Sequence, residues 1–159
     1  MVWGKKMTEV KPIPMIEGKA GIPDPVEMNW AFPDVAPGQA PFGGRVIVQL
    51  RRIKKKSGMI IIVDETKENE KWNNMIGKVV AIGPLAFKNR DTMQPWAEGS
   101  WAEIGDFVRV PRWGGDRWER MDPNETDDGS KEPVLFMTIN DHELIAKVTD
   151  DPLSFKAYV

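Results

Sequence analysis

The sequence predicts an all-β fold. Short β-branched runs recur between glycine- and proline-marked turns, and no stretch keeps a helical apolar period over a long span. The connections between those runs are long and polar, which suits a small barrel or sandwich whose loops carry function.

The first strand is expected at Arg45-Val46-Ile47-Val48-Gln49-Leu50, directly after the turn Gly43-Gly44. Gly77-Lys78-Val79-Val80-Ala81-Ile82-Gly83 reads as the second, bounded by glycine at both ends. Phe107-Val108-Arg109-Val110 follows the turn Gly105-Asp106. Val134-Leu135-Phe136-Met137 and Leu144-Ile145-Ala146-Lys147-Val148 are the last strands, with Asn140–Glu143 between them as a tight turn or a single helical turn. Long connections are expected at about 51–76, 84–103 and 114–133.

Residues 1–42 differ in texture. Pro12, Pro14, Pro23, Pro25, Pro33, Pro37 and Pro41 remove amide donors and fix φ, so this stretch is expected to form neither regular helix nor central strand. It reads as an extended, partly disordered arm in which Trp30 and Phe32 are either anchors or incidental aromatics. The domain proper is then 43–149, and 150–159 is a C-terminal tail.

Composition excludes several function classes. A net charge of −2 over 159 residues gives no global field for nucleic acid or membrane. The absence of Cys rules out disulfides and thiolate metal sites, and the single His142 rules out a histidine metal cluster or a catalytic triad. His142 reads as a turn residue. No apolar run has the ~20 residues that cross a bilayer, and Met1–Lys11 lacks the apolar core of a signal peptide, so a cytoplasmic protein is expected.

The most telling stretch is Gly58-Met59-Ile60-Ile61-Ile62-Val63. It lies between the basic run Arg51–Lys56 and the acidic Asp64, Glu65, Glu68 and Glu70. As a strand it would suit burial on both faces. As an exposed cluster in a polar loop it would be a recognition element. The residues alone leave both readings open.

The order of segments resembles the GroES-type co-chaperonins, the small lids of the chaperonin folding chamber. Arg45–Val48 is similar to that family's first core strand. Ser57–Ile62 resembles its mobile-loop sequence, a glycine followed by an aliphatic tripeptide. Gly77–Gly83 is similar to the strand that closes the loop, and Ile104–Val108 to the family's Val-Gly-Asp strand start. Val110-Pro111-Arg112-Trp113-Gly114-Gly115 resembles its Pro-x-Tyr-Gly-Gly turn, with Trp for Tyr. Asp141–Val148 is similar to the closing segment. The resemblance covers roughly 43–149.

It implies a partly open β-barrel subunit of a homo-oligomer, a heptameric ring. It also implies a long mobile loop whose Gly58, Met59, Ile60, Ile61, Ile62 and Val63 dock on a large GroEL-type chaperonin. Trp113, Gly114 and Gly115 would form the roof or dome turn. Arg45, Val46, Ile47, Val48, Leu144, Ile145, Ala146 and Val148 would meet neighbouring subunits. Such a chain is a protein-folding chaperone and not an enzyme. It has no metal or cofactor, ATP being bound by the partner chaperonin, and its client is an unfolded protein.

The sequence departs from the family in its N-terminal arm, a longer mobile loop, the Trp96 and Trp101 of the roof-hairpin position, and the 119–131 insertion. That elaboration resembles virus-encoded members, which work in a host cytoplasm on a capsid protein.

Competing readings are a virus-particle structural protein built on the same barrel, and a barrel that binds single-stranded nucleic acid through Arg51–Lys56 and the tryptophans. The acidic residues directly downstream would repel phosphates, so the basic run reads first as a solvated loop flank. The Trp113–Trp118 rings read as core or interface packing rather than a ligand turn. Asp122, Glu125, Asp127 and Asp128 lack the spacing of a calcium loop and read as solvated. Zinc alcohol dehydrogenases also carry GroES-like domains. They need Cys ligands and a glycine-rich dinucleotide fingerprint, and this chain has neither.

Overall fold

Strand β1 is central because its residues are apolar on both faces. Arg45–Leu50 is buried from Val46 onward, and it pairs antiparallel with β2 (Ile76–Ile82) on one side and β5 (Val134–Asn140) on the other. The computed structural model of the chain describes residues 24–52, 75–125 and 132–155. In these, β3 (Phe107–Arg109), β4 (Asp116–Arg120) and β6 (Ala146–Lys147) complete a six-stranded antiparallel sheet in the order β4-β5-β1-β2-β3-β6. The all-β expectation therefore holds.

Alternation along the strands sorts side chains onto two faces. Val46, Val48 and Leu50 of β1 join Val79, Val108, Leu135, Met137 and Ile139 in the larger core. Ile47 faces the other way, with Val134, Phe136 and Val35, and Trp118 covers them. Gln49 also points to that side, and its buried amide donates to the carbonyl of Pro33 at 2.8 Å. A register shift between Ile47 and Val48 marks a bulge against β2.

The N-terminal arm departs from expectation. Pro25–Ala31 forms a helix, α1, with Asp24 as its cap, the carboxylate accepting from the Val26 amide at 2.9 Å. Proline is compatible with helix here because Pro25 sits in the first turn, where the missing amide would have no partner anyway. Ala31 and Phe32 then pack with Ile76, and Phe32 meets Phe107 edge-on at 4.9 Å. Val35 is buried beneath β4 and β5 residues. The 24–35 stretch thus belongs to the core of the domain rather than lying outside it.

The other missed element is β4, which falls inside the predicted 114–133 connection. Its sequence offers a single apolar residue, Trp118, so no alternation announces it. Pairing Trp118 with Phe136 in the neighbouring strand stacks the rings at 5.8 Å, and the indole Nε1 donates to the Pro37 carbonyl at 2.8 Å. Burial lowers the pKa of the neighbouring Arg117.

The Asn140–Glu143 turn is a 3-10 helix over Asp141–Glu143, and His142 is an exposed turn residue there. The predicted strand 144–148 shortens to Ala146–Lys147, with Leu144 tucked into the larger core. No helix among the described residues is long and apolar enough to cross a membrane.

Candidate functional site

The ends of the segment that carries the apolar cluster meet at one corner of the sheet. Leu50 faces Gly77 in the β1–β2 register, and the Arg51 amide donates to the Ile76 carbonyl at 3.1 Å. Val110 in turn donates its amide to Met75 at 2.8 Å. The residues that flank 53–74 therefore lie at adjacent points of the sheet, on strands bonded to each other. The predicted anchor residues Gly58, Met59, Ile60, Ile61, Ile62 and Val63 lie outside the described residues, as does the rest of the 53–74 stretch. None of the six described strands needs them.

The root of that segment is held by two arginines. Arg51 donates through Nη1 to the Phe155 carbonyl at 2.6 Å and to the Pro152 carbonyl at 3.3 Å, which ties the root to the C-terminal residues. Arg52 is 7% exposed. Its Nε donates to the Trp30 carbonyl at 2.7 Å, and its Nη1 to Glu125 Oε2 at 2.8 Å and to the Glu132 carbonyl at 3.0 Å. The guanidinium also lies 4.5 Å from the centre of the Trp30 ring. One side chain thereby joins α1, the connection after β4 and the approach to β5.

This corrects the reading of Arg51–Lys56 as a solvated flank throughout: Arg51 and Arg52 are structural. The residue types held a signal that charge counting missed. The run starts with arginines and continues with lysines. Only arginine has the planar set of donors that can serve several acceptors from a buried position. Glu125, grouped above with solvated carboxylates, is the ionic partner. Asp122 caps the adjacent turn by accepting from the Asn124 amide at 2.9 Å. Among the described residues no group of His, Cys, Asp and Glu could hold a metal ion.

The residues expected at the dome turn, Trp113, Gly114 and Gly115, differ in their surroundings. Trp113 is 75% exposed, with Arg112 over its ring at 5.4 Å, so it does not pack in this chain's core. Gly114 and Gly115 both take positive φ, at 103° and 72°. At Gly115 a Cβ would stand 2.5 Å from Ile139 Cγ2 and 2.8 Å from the Thr138 carbonyl, so glycine is required twice over.

The subunit-contact residues divide as well. Val46, Ile47 and Val48 are fully buried inside the chain, and both edges of β1 are taken by β2 and β5. Strand addition by a neighbour along 45–50 is therefore excluded, which corrects that part of the expectation; only Arg45 is exposed. At the other end of the sheet, β6 pairs with β3 alone among the described residues. Ile145 there is 56% exposed, Ala146 is exposed and Val148 half-buried, while Leu144 is buried.

At the roof-hairpin position, Lys88 and Pro95 form an isolated antiparallel bridge that closes a small excursion. Phe87, Trp96 and Trp101 cluster behind it, with Trp96 and Trp101 centroids 4.8 Å apart. The buried Trp101 Nε1 has no hydrogen-bond partner among the described residues. No protein-family model and no curated protein matches the chain.

Proposed function

We propose that the chain is a co-chaperonin subunit. It caps an ATP-driven, GroEL-type chaperonin through Ile60, Ile61 and Ile62, with Met59 and Val63 flanking them and Gly58 giving backbone freedom. The observation that carries this reading is the placement of the segment. The apolar cluster sits between the ends of two strands that bond directly to each other, and the described core is assembled from other residues. Loops with that placement are free to serve recognition.

The energetics favour a ring. Burying an isoleucine side chain contributes about 1.5–3 kcal/mol, whereas ordering a loop residue costs roughly 1–2 kcal/mol of backbone entropy. One loop therefore binds weakly, and an array of loops on a homo-oligomer binds by avidity. Weak individual contacts also let the lid leave when the chaperonin changes nucleotide state. With β1 enclosed, the subunit contact falls to the 144–148 edge, where Ile145 and Ala146 are exposed. A heptamer is the ring size that the family resemblance implies.

The test is capture by a large chaperonin in the presence of ATP, with the wild-type chain and with Ile60, Ile61 and Ile62 all replaced by Ser. The wild type is retained and the triple variant is not, while both keep the same oligomeric state and thermal unfolding. If the triple variant unfolds or dissociates, those isoleucines are core and the docking role is wrong. If the wild type is not retained, the co-chaperonin reading fails outright.

A further inference from the structure

A second feature lies at the opposite end of β1 and owes nothing to the co-chaperonin reading. The start of β1, the roof-hairpin excursion and the end of β5 border a half-open cleft of about 450 Å³. Arg45, Lys88, Arg90, Trp96, Asp141 and His142 line it. Its volume falls within the range of small-molecule sites.

The cavity is framed by a buried carboxylate. Asp141 is 7% exposed, and both its oxygens are taken by amides: Oδ2 by Phe87 at 2.8 Å and Oδ1 by His142 at 2.7 Å. The Asp141 amide in turn donates to the Gly44 carbonyl at 2.9 Å. A Cβ at Gly44 would stand 3.2 Å from Oδ2, so the carboxylate and the glycine turn fit closely. Phe87 is held with φ at 61°, a left-handed conformation unusual for an aromatic residue, and the bond to Asp141 pins it there. The Phe87 carbonyl then accepts from the Trp96 amide at 3.0 Å, which sets the half-exposed indole into the wall.

Charge within this frame is mostly positive, with Arg45, Lys88 and Arg90 set against the single carboxylate of Asp141. Arg45, Lys88 and Arg90 are exposed, and none forms a side-chain ion pair with a described residue. Arg90 reaches over Gly43, its Nη2 3.3 Å from where a Cβ would stand, so it leans toward the start of β1. The acids beside them are engaged: Asp141 as above, and Glu143 accepting from Asn140 Nδ2 at 2.8 Å. Guanidinium and ammonium groups facing one concave space suit a phosphate's multiple acceptor oxygens. An aromatic wall fixed by edge-on contacts to Phe87 and Trp101 suits the organic part of the same molecule.

We propose that this cavity binds a small phosphate-bearing ligand, its phosphate held by Arg45, Lys88 and Arg90 and its organic part laid along Trp96. Calorimetric titration of the full chain with adenosine monophosphate, ribose 5-phosphate and inorganic phosphate tests this. Adenosine monophosphate binds saturably with one site per chain and more tightly than ribose 5-phosphate, and amide shifts cluster at 43–45, 87–96 and 140–142. Lys88→Glu and Arg90→Glu each weaken binding at least about tenfold, the loss of a charge-assisted hydrogen bond. Lys147→Glu, a cation outside the cavity, does not. Lys88→Glu and Arg90→Glu leave thermal unfolding unchanged, so lost binding is not lost folding. The proposal is overturned if none of the three probes binds, or if Lys147→Glu weakens binding as much as the cavity variants. Affinity for oligothymidylate that grows with chain length also overturns it, since that marks a nucleic-acid groove instead.

Discussion

Replacing Arg52 with Met tests a buried side chain that makes three polar bonds. Methionine keeps much of the aliphatic stem and removes the charge. The substitution deletes the bonds to the Trp30 carbonyl at 2.7 Å, to Glu125 at 2.8 Å and to the Glu132 carbonyl at 3.0 Å, together with the contact to the Trp30 ring. Breaking a buried ion pair by removing one partner costs about 3–5 kcal/mol. The Glu125 side chain is 22% exposed and regains part of its hydration, which places the loss near the lower bound, at about 3 kcal/mol. For a chain of this size that lowers the melting temperature by roughly 6–12 °C. Urea unfolding followed by tryptophan fluorescence measures it as a fall in midpoint at constant slope. A double-mutant cycle with Glu125→Gln should return a coupling of about 0.5–3 kcal/mol. Lys147→Met, which breaks only a half-exposed pair with Asp106 at 3.3 Å, should cost under about 1 kcal/mol. If Arg52→Met is as mild as Lys147→Met, then Arg52 is a solvated flank after all and the clamp is refuted.

Two further substitutions probe the neighbouring elements. Gly115→Ala forces a side chain into left-handed backbone, at about 1–2 kcal/mol, and into Ile139 and the Thr138 carbonyl, so the unfolding midpoint should fall by more than the backbone cost alone. A neutral result would mean that the turn does not take this conformation. Trp118→Phe keeps the stack on Phe136 and loses the bond to Pro37, so about 1 kcal/mol is expected, whereas Trp118→Ala should lose about 3 kcal/mol. Equal losses for the two variants would show that ring packing contributes nothing here.

Much of the sheet was legible before folding was considered. The run 45–50 coincides with β1, and the runs beginning near 77, 107 and 134 lie on β2, β3 and β5. These segments are β-branched or aromatic and are bounded on at least one side by glycine or proline, so local preference and final structure agree. α1 and β4 were not legible for opposite reasons. Proline density hides a helix that begins at a proline. A single tryptophan cannot show alternation, and β4 is a strand only because β5 offers it a partner.

The apolar cluster at 58–63 and the order of the segments around it can be read directly from the residues. So can the absence of cysteine and of histidine clusters. What only the tertiary structure decided is how charge and edges are used. Arg52 passes from a basic run to a buried clamp because Trp30, Glu125 and Glu132, far from it in sequence, converge on it. β1 loses any role as a pairing edge because β5 returns from the far end of the domain to cover its second side. Arg45, Lys88, Arg90 and His142 become one cavity because Asp141 ties the turns that carry them together. Each of these depends on contacts between distant segments, and no local pattern encodes such contacts.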